Sequence, residues 1–383
     1  MWVVNLLLLI LLVFYLALML YYRLQWNALP AFTPSLKLKS LPKISVIIAA
    51  RNEEKNIAEC LESIAYQTYP RSHYEIIVVD DYSTDHTAHI VNRYAARLHN
   101  VKLLQMRDVM NERDIVSYKK MALSTGIKAA QGSIILCTDA DCISVPEWIY
   151  TIVSCMIENN LKMVAAPVLY HREVNFFQGF QALDMIGLMG VTGASLHSRL
   201  SYMCNGANLA YYKEVYDEVG GFDDISVLAS GDDLMLMYKI AKIYPNNITF
   251  CKSNQAVVKT CANRTWKNFF QQRIRWATKN ARLDDRRIPW ILAGVLGFNL
   301  VLVINTIIEW GILHRIIGLS LFAWIAKALI DYFFLNNLCD FFKRKSLMNY
   351  FLISLFLHVM YINIIGIMST FKKTYKWKGR LSK

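Results

Sequence analysis

Residues 137–142 read Cys-Thr-Asp-Ala-Asp-Cys, two acids one residue apart between two cysteines, directly after the apolar run Ser-Ile-Ile-Leu. Three chemistries compete for such a stretch: a thiolate metal site, a carboxylate metal site, and an acidic turn that closes a strand. The chain's eight cysteines show neither CxxC pairs nor zinc spacing, so they read as free buried thiols in a reducing compartment. Carboxylate oxygens suit magnesium or manganese, ions that commonly hold phosphate oxygens. A lone Asp-x-Asp is weak ground for that. Further acids stand at Arg-Asn-Glu-Glu (51–54), Asp-Asp-Tyr-Ser-Thr-Asp (80–85) and Ser-Gly-Asp-Asp (230–233), and a Gln-Arg-Ile-Arg-Trp stretch lies at 272–276.

The elements that must position these residues alternate. Short β-branched runs at 43–50, 74–81, 101–105, 133–138 and 163–169 predict strands. Helical patterns lie between them, over about 85–98 with Ser83 as N-cap and over Lys119 to Ala130. Continuous apolar strands separated by helices predict an α/β fold with a mostly parallel sheet covered on both faces. Ligands of such sheets bind beyond the carboxyl ends of the strands. Those ends carry RNEE, DDYSTD and TDAD, all on one edge. Carboxylates gathered there repel one another unless a divalent cation sits among them.

Five segments in order, IIAARNEEKNI, VVDDYSTDHT, TDAD, SGDDLMLM and QRIRW, resemble the membrane-embedded family-2 glycosyltransferases. That group includes cellulose, hyaluronan and poly-N-acetylglucosamine synthases and ceramide glucosyltransferase-like enzymes. The resemblance covers roughly residues 43–280 and implies a GT-A type, Rossmann-like sheet flanked by transmembrane helices, a UDP-sugar donor, a lipid or glycan acceptor, and Mg2+ or Mn2+. It places Glu53, Asp80 and Asp81 at the uracil and ribose, Lys120 at the diphosphate, Asp139 on the nucleotide side and Asp141 on the metal, with Asp139 as its companion. Asp233 is the expected general base, with adjacent Asp232 the other candidate. Gly206 and Asn208, in NGAN, would border the acceptor. Gln272, Arg273, Arg275 and Trp276 would serve the diphosphate and the acceptor sugar. Tyr82 and His86 depart from the small residues usual in the second segment.

The rest of the chain is apolar. Of its 383 residues 55% are hydrophobic and 19% charged, and the apolar ones crowd the two ends. Trp2 to Tyr22 carries no charge, long enough at about 1.5 Å per residue to cross a hydrocarbon core; with no basic region before it and no small-residue cleavage site after it, an anchor fits better than a signal peptide. Three more stretches follow at roughly 288–310, 316–337 and 348–371. The expected division is an anchor over 1–25, a cytosolic domain over 26–287 with an amphipathic interface helix near 265–280, a membrane region over 288–371, and a basic tail over 372–383. The net charge of +13 sits beside the apolar stretches, as at Lys343, Arg344 and Lys345, which points to a membrane and excludes nucleic acid as the main partner. Three full C-terminal spans would put the basic tail outside, against the positive-inside rule, so a re-entrant stretch is the alternative. Lys327 and Asp331 lie four apart inside an apolar stretch, either as an intrahelical pair or as a polar lining.

The leading expectation is an inverting transferase at the cytosolic face of the plasma (inner) membrane, multi-pass, working with cell-envelope biosynthesis partners. Processive polysaccharide synthesis coupled to export, an inactive membrane scaffold and a nucleotidyl- or phosphotransferase are the alternatives.

Overall fold

A computed structural model describes residues 1–383 except 36, 37, 39, 111–116, 224–230, 281–284, 286, 372–374, 378, 379 and 383. Ser230 of the SGDD segment and the basic residues Arg282, Arg286, Lys372, Lys373 and Lys378 lie outside the described residues. The chain divides into two compact units, residues 30–171 with 202–261 and 376–383, and residues 1–29 with 172–201 and 262–375.

In the first unit a seven-stranded sheet is built from β1 (Ile44–Ala50), β2 (Tyr74–Asp80), β3 (Val101–Gln105), β4 (Ile134–Asp139), β6 (Met163–Ala165), β8 (Leu209–Tyr212) and β9 (Ile248–Phe250). Its order is β3-β2-β1-β4-β8-β6-β9. β1, β2, β3 and β4 run parallel, as expected, while β8 is antiparallel to both its neighbours. The β-branched interior of β1 and β2, Val46, Ile47, Ile48, Ile76, Ile77, Val78 and Val79, is fully buried. Both faces of these strands are therefore covered, as a parallel sheet requires.

β5 (Ile143–Ser144), β7 (Val168–His171) and β10 (Val258–Cys261) form a smaller sheet in the order β5-β10-β7. The run at 163–169, expected as one strand, is thus split between two sheets. Pro167 has no N–H to give a ladder, the Ala166 N–H donates to Asn208 O at 3.0 Å, and the chain changes sheet there.

Among the described residues the second unit holds four helices long and apolar enough to cross a membrane: Trp2–Ala28, Arg287–Ile312, Leu319–Phe341 and Lys345–Ser369. Leu8, Leu12, Tyr15, Phe298, Leu302 and Ala323 bury one another, while Trp2, Ile10, Val13 and Phe322 are exposed. A buried seam with apolar side chains turned outward is what lipid demands of a bundle. Lys327 Nζ donates to Asp331 Oδ2 and to Tyr15 Oη, each at 2.7 Å, and the Tyr15 hydroxyl donates to Asp331 Oδ1 at 2.7 Å. The intrahelical pair is also tied to another helix.

Two further helices join this unit, Phe176–Ser198 and Trp266–Asn280. The sequence division put both stretches in the polar domain. Phe176–Ser198 buries Phe180, Leu183, Met185 and Ile186. Tyr350 and Leu338 lie so close that a Cβ on Gly179 or Gly190 would meet their side chains. That close approach needs small residues, the packing rule of apolar bundles.

Candidate active site

Parallel register puts three strand ends side by side. Ala50 of β1 is level with Asp80 of β2, and Ala49 with Asp139 of β4. The order β3-β2-β1-β4 reverses direction between β1 and β4, which opens a crevice beyond the carboxyl ends.

The loops after β1 and β2 are sewn together. Arg51 Nη1 donates to Asp81 O at 2.7 Å and Tyr82 O at 3.1 Å. The Asn52 N–H donates to Ser83 Oγ at 3.0 Å and the Glu53 N–H to Thr87 Oγ1 at 2.8 Å. Asp85 accepts from the Glu54 N–H at 3.1 Å and from the Thr87 hydroxyl at 2.5 Å. Burial opposes the Asp85 charge, but these bonds outweigh it and hold its pKa below the usual range. Ser83 is therefore a loop tie; the helix begins at Thr87 with His86 as N-cap. Tyr82, at φ 52°, donates its hydroxyl to Met110 O.

Asp80 is fully buried; its Oδ2 accepts from the Ser83 N–H at 3.3 Å and lies 3.9 Å from Arg107, while its Oδ1 has no hydrogen-bond partner among the described residues. A buried acceptor of this kind costs about 1–3 kcal/mol until a donor meets it; an imide or hydroxyl of a nucleotide is such a donor. Asp81 is also buried, its N–H donating to Ala50 O at 2.8 Å. Glu53 accepts from Asn56 at 2.7 Å.

Asp139 and Asp141 form the turn that ends β4, with Asp141 exposed. Lys119 Nζ donates to Asp139 Oδ1 at 2.6 Å. Burial works against the Lys119 charge, but Asp139 and then Asp232 outweigh it, so its pKa is pushed up, with Asp233 adding in the same sense. Asp139, Asp232, Asp233 and Lys119 are thus one electrostatic group. Lys120, the expected diphosphate ligand, is buried in its helix, and desolvation above all lowers its pKa. The structure brings Lys119, its neighbour, to the Asp-x-Asp turn. No periodicity distinguishes adjacent lysines before the helix phase is known.

Burial, then the charges of Asp141, Asp139 and Glu53, pushes the Cys60 thiol well up, and burial with Asp141 does the same to Cys142. Cys137 is pushed up to about 12, chiefly by burial. Burial and the neighbouring carboxylates thus keep these thiols protonated. A divalent ion would be held by Asp139 and Asp141. No group of three His, Cys, Asp or Glu side chains with metal-binding geometry occurs among the described residues. That donor set fits Mg2+ or Mn2+, which take one or two carboxylates and complete their shell with water and phosphate oxygens.

The Asp232–Ile243 helix starts behind Gly231, whose φ of 97° no side chain adopts readily. Asp233 Oδ2 accepts from the Gly206 N–H at 2.9 Å, and a Cβ on Gly206 would stand 3.1 Å from that oxygen. The NGAN loop therefore orients the Asp233 carboxylate. Asp232 is buried beside it.

Asn208, expected at the acceptor, is held by three hydrogen bonds. It is fully buried, donates to Pro167 O and Ala256 O at 2.8 Å each, and accepts from Trp148 Nε1 at 2.9 Å. It ties the Pro167 and Ala256 segments to the Trp148 helix. Asn208→Ala strands two buried carbonyls and an indole N–H; a loss of about 2–3 kcal/mol in unfolding free energy is expected, read by thermal melting.

Gln272, Arg273, Arg275 and Trp276 lie on the Trp266–Asn280 helix of the other unit. Arg273 is 5% exposed, stacks 4.4 Å from the Trp276 ring, and pairs with Asp184 at 2.5 Å. Gln272 Oε1 accepts from Asn263 at 3.0 Å, and Asn263 in turn meets Gln181. Both side chains tie their helix to Phe176–Ser198. The sequence carried no signal for Asp184, because a single acid in an apolar helix has no spacing partner.

Two family models match the chain, Glycosyl transferase family 2 over residues 45–220 and Glycosyl transferase family group 2 over residues 134–371. Among curated relatives, the probable glycosyltransferase YdaM of Bacillus subtilis (strain 168) is 26% identical over 320 residues, covering 75% of this chain and 72% of that one. Glycosyltransferase AglE of Haloferax volcanii is 29% identical over 195 residues, 50% of this chain and 60% of its own. The beta-monoglucosyldiacylglycerol synthase of Nostoc sp. (strain PCC 7120) is 35% identical over 102 residues, 27% of this chain and 21% of that protein. The chain thus spans less than two-thirds of the latter two. The mannosyltransferase PcManGT from Pyrobaculum calidifontis, solved in complex with GDP-Man and Mn2+, matches with a TM-score of 0.59 and 19% identity over 97% of this chain and 99% of that one; the likeness is one of fold. Since the second family model takes in more than half of the residues, the chain belongs to glycosyl transferase family group 2 and is a glycosyltransferase.

Proposed function

We propose that the protein is an inverting transferase that moves a sugar from a UDP-sugar to a lipid acceptor, as a multi-pass protein of the plasma (inner) membrane with its catalytic unit in the cytosol. The observation that supports this best is the gathering of Asp80, Asp139, Asp232, Asp233 and Lys119 around one crevice beyond the ends of β1, β2 and β4. A scaffold has no use for a buried, half-satisfied Asp80 beside a lysine-neutralised acidic turn. The four span-length apolar helices favour an acceptor carried in the membrane.

In this reading Asp80 and Asp81 accept hydrogen bonds from the nucleoside. Lys119 moves from Asp139 toward the diphosphate and neutralises part of its charge. A divalent ion held by Asp139 and Asp141, when bound, supplies further positive charge to the leaving diphosphate. Asp233 takes the proton from the acceptor hydroxyl as that oxygen attacks the anomeric carbon and the carbon–phosphate oxygen bond breaks. The products are the glycosylated acceptor, the nucleoside diphosphate, and a proton on Asp233 that passes to solvent.

The test uses the full chain in lipid nanodiscs with Mn2+ and a panel of radiolabelled UDP- and GDP-sugars. Release of UDP with label in a chloroform-soluble product supports the reading. Label in a polymer indicates processive synthesis, and release from GDP-sugars alone overturns the donor assignment. Lys119→Met should raise the donor KM about 10- to 100-fold, the worth of a charged hydrogen bond, and more than Lys120→Met does, since Lys119 and not Lys120 holds the Asp139 carboxylate at 2.6 Å. Equal effects from the two variants would remove Lys119 from the diphosphate.

A further inference from the structure

The helical unit holds a half-open cavity of about 230 Å3 that none of the roles above uses. Most of its wall is hydrocarbon, including Leu18, Leu183, Leu188, Val191, Val295 and Leu355. An apolar cavity of about 150 Å3 already takes benzene, so this one admits a length of lipid chain.

The cavity is not wholly apolar. Ser354 lines it, is 6% exposed, and its Oγ has no hydrogen-bond partner among the described residues. A helical serine ordinarily returns its hydroxyl to the carbonyl one turn back. Leaving it unmet inside an apolar wall costs free energy that a bound hydroxyl recovers, since a hydroxyl both donates and accepts.

The charges on the wall then decide the kind of head group. The ionisable lining residues other than tyrosines are Asp184, Asp331 and His358. Asp184 pairs with Arg273 at 2.5 Å and accepts from Tyr361 Oη at 2.7 Å, with His358 Nε2 3.8 Å away. Asp331 is closed in by Lys327 and Tyr15. Both carboxylates already hold a cation, so a cationic ligand finds no unneutralised partner, and an anionic phosphate would face two carboxylates. What remains is a neutral polar group.

The cavity also has a place along the bundle. Gly297 lies against Leu11 and Gly294 against Phe14, so the first span runs antiparallel to Arg287–Ile312, whereas Tyr15 meets Asp331 and Trp26 meets Phe341, so it runs parallel to Leu319–Phe341. The lining positions 15–22, 291–295 and 331–335 fall in the halves nearer Ala28, Arg287 and Phe341. That is the end at which the first span leads on to residue 30.

We propose that this cavity binds an uncharged, hydroxyl-bearing membrane lipid, its chain against the leucines and valines and its hydroxyl on Ser354. The site rests on the preceding reading only in taking that lipid to be the acceptor, and binding is measured apart from turnover. The full chain in phosphatidylcholine nanodiscs is photolabelled with a diacylglycerol carrying a diazirine in its acyl chain, and labelled peptides are mapped by mass spectrometry. Label is expected on peptides from 176–198 and 351–371, competed by unlabelled diacylglycerol and not by phosphatidic acid of the same chains. Val191→Trp, which fills the space, should cut labelling about tenfold, and Ser354→Ala, which keeps it, about fivefold through one lost hydrogen bond. Acceptor-independent hydrolysis of the donor should stay unchanged in both. Equal competition by phosphatidic acid, or full labelling of Ser354→Ala, overturns the site even if Val191→Trp fails to fold. Labelling as expected in a protein that turns over no nucleotide sugar would keep the site and discard the proposed function.

Discussion

Asp233→Asn is expected to lower kcat by about 10²- to 10⁴-fold, the usual worth of a general base, while donor binding holds. The amide is isosteric and its oxygen can still accept from the Gly206 N–H that holds Asp233 Oδ2 at 2.9 Å. The fold and the crevice are therefore preserved and only proton uptake is lost. Asp232→Asn should act differently. Asp232 is buried and contributes to the field that keeps Lys119 charged, so its removal should appear mainly in the donor KM. Steady-state kinetics on both variants separates the roles. A larger kcat loss in Asp232→Asn than in Asp233→Asn would transfer the base to Asp232. Gly206 should share in the effect, since its N–H aims the carboxylate.

The second large effect is on stability and lies in the helical unit. Arg273 and Asp184 are each about 5% exposed at the side chain and paired at 2.5 Å. Arg273→Met leaves Asp184 buried with its cation gone, and breaking a buried pair in this way costs about 3–5 kcal/mol. Thermal unfolding in detergent should show a clear fall in Tm. Arg273→Met combined with Asp184→Leu should recover much of it, because neither charge is then left alone. A single variant that melts like the parent would mean that the pair is not what holds Trp266–Asn280 against Phe176–Ser198. The expectation from sequence was that Arg273 serves the diphosphate. Stacked on Trp276 and bound to Asp184, Arg273 braces its helix in this structure.

The catalytic unit was legible wherever a local pattern carried the information. Ile-Ser-Val-Ile-Ile-Ala-Ala and Tyr-Glu-Ile-Ile-Val-Val-Asp are continuous β-branched runs that have to be buried on both faces, and they pair in register as Ile44 with Tyr74 through Ala50 with Asp80. Once the strands are parallel, acids that follow them must share an edge. The meeting of RNEE, DDYSTD and TDAD needed no side-chain contact to be foreseen. The choice between Lys119 and Lys120 did need one, because a helix turns about 100° per residue and a small error in its phase exchanges the two. Asn208 was legible as a polar residue in a motif, yet its three hydrogen bonds come from residues 41, 48 and 60 positions away.

What the sequence determined by itself was therefore the family, the parallel core, the edge on which the acids gather and the existence of four span-length apolar helices, for each of these follows from composition, periodicity or an ordered set of short motifs. The tertiary structure decided the rest. It moved Phe176–Ser198 and Trp266–Asn280 out of the polar domain and in among the apolar helices, gave Arg273 to Asp184, put Lys119 on Asp139, and left Ser354 facing a cavity with its hydroxyl unmet. The pairings among these join residues separated in sequence, and the unmet Ser354 hydroxyl is the lack of one; the free energy of both depends on distance and burial, which no local pattern encodes.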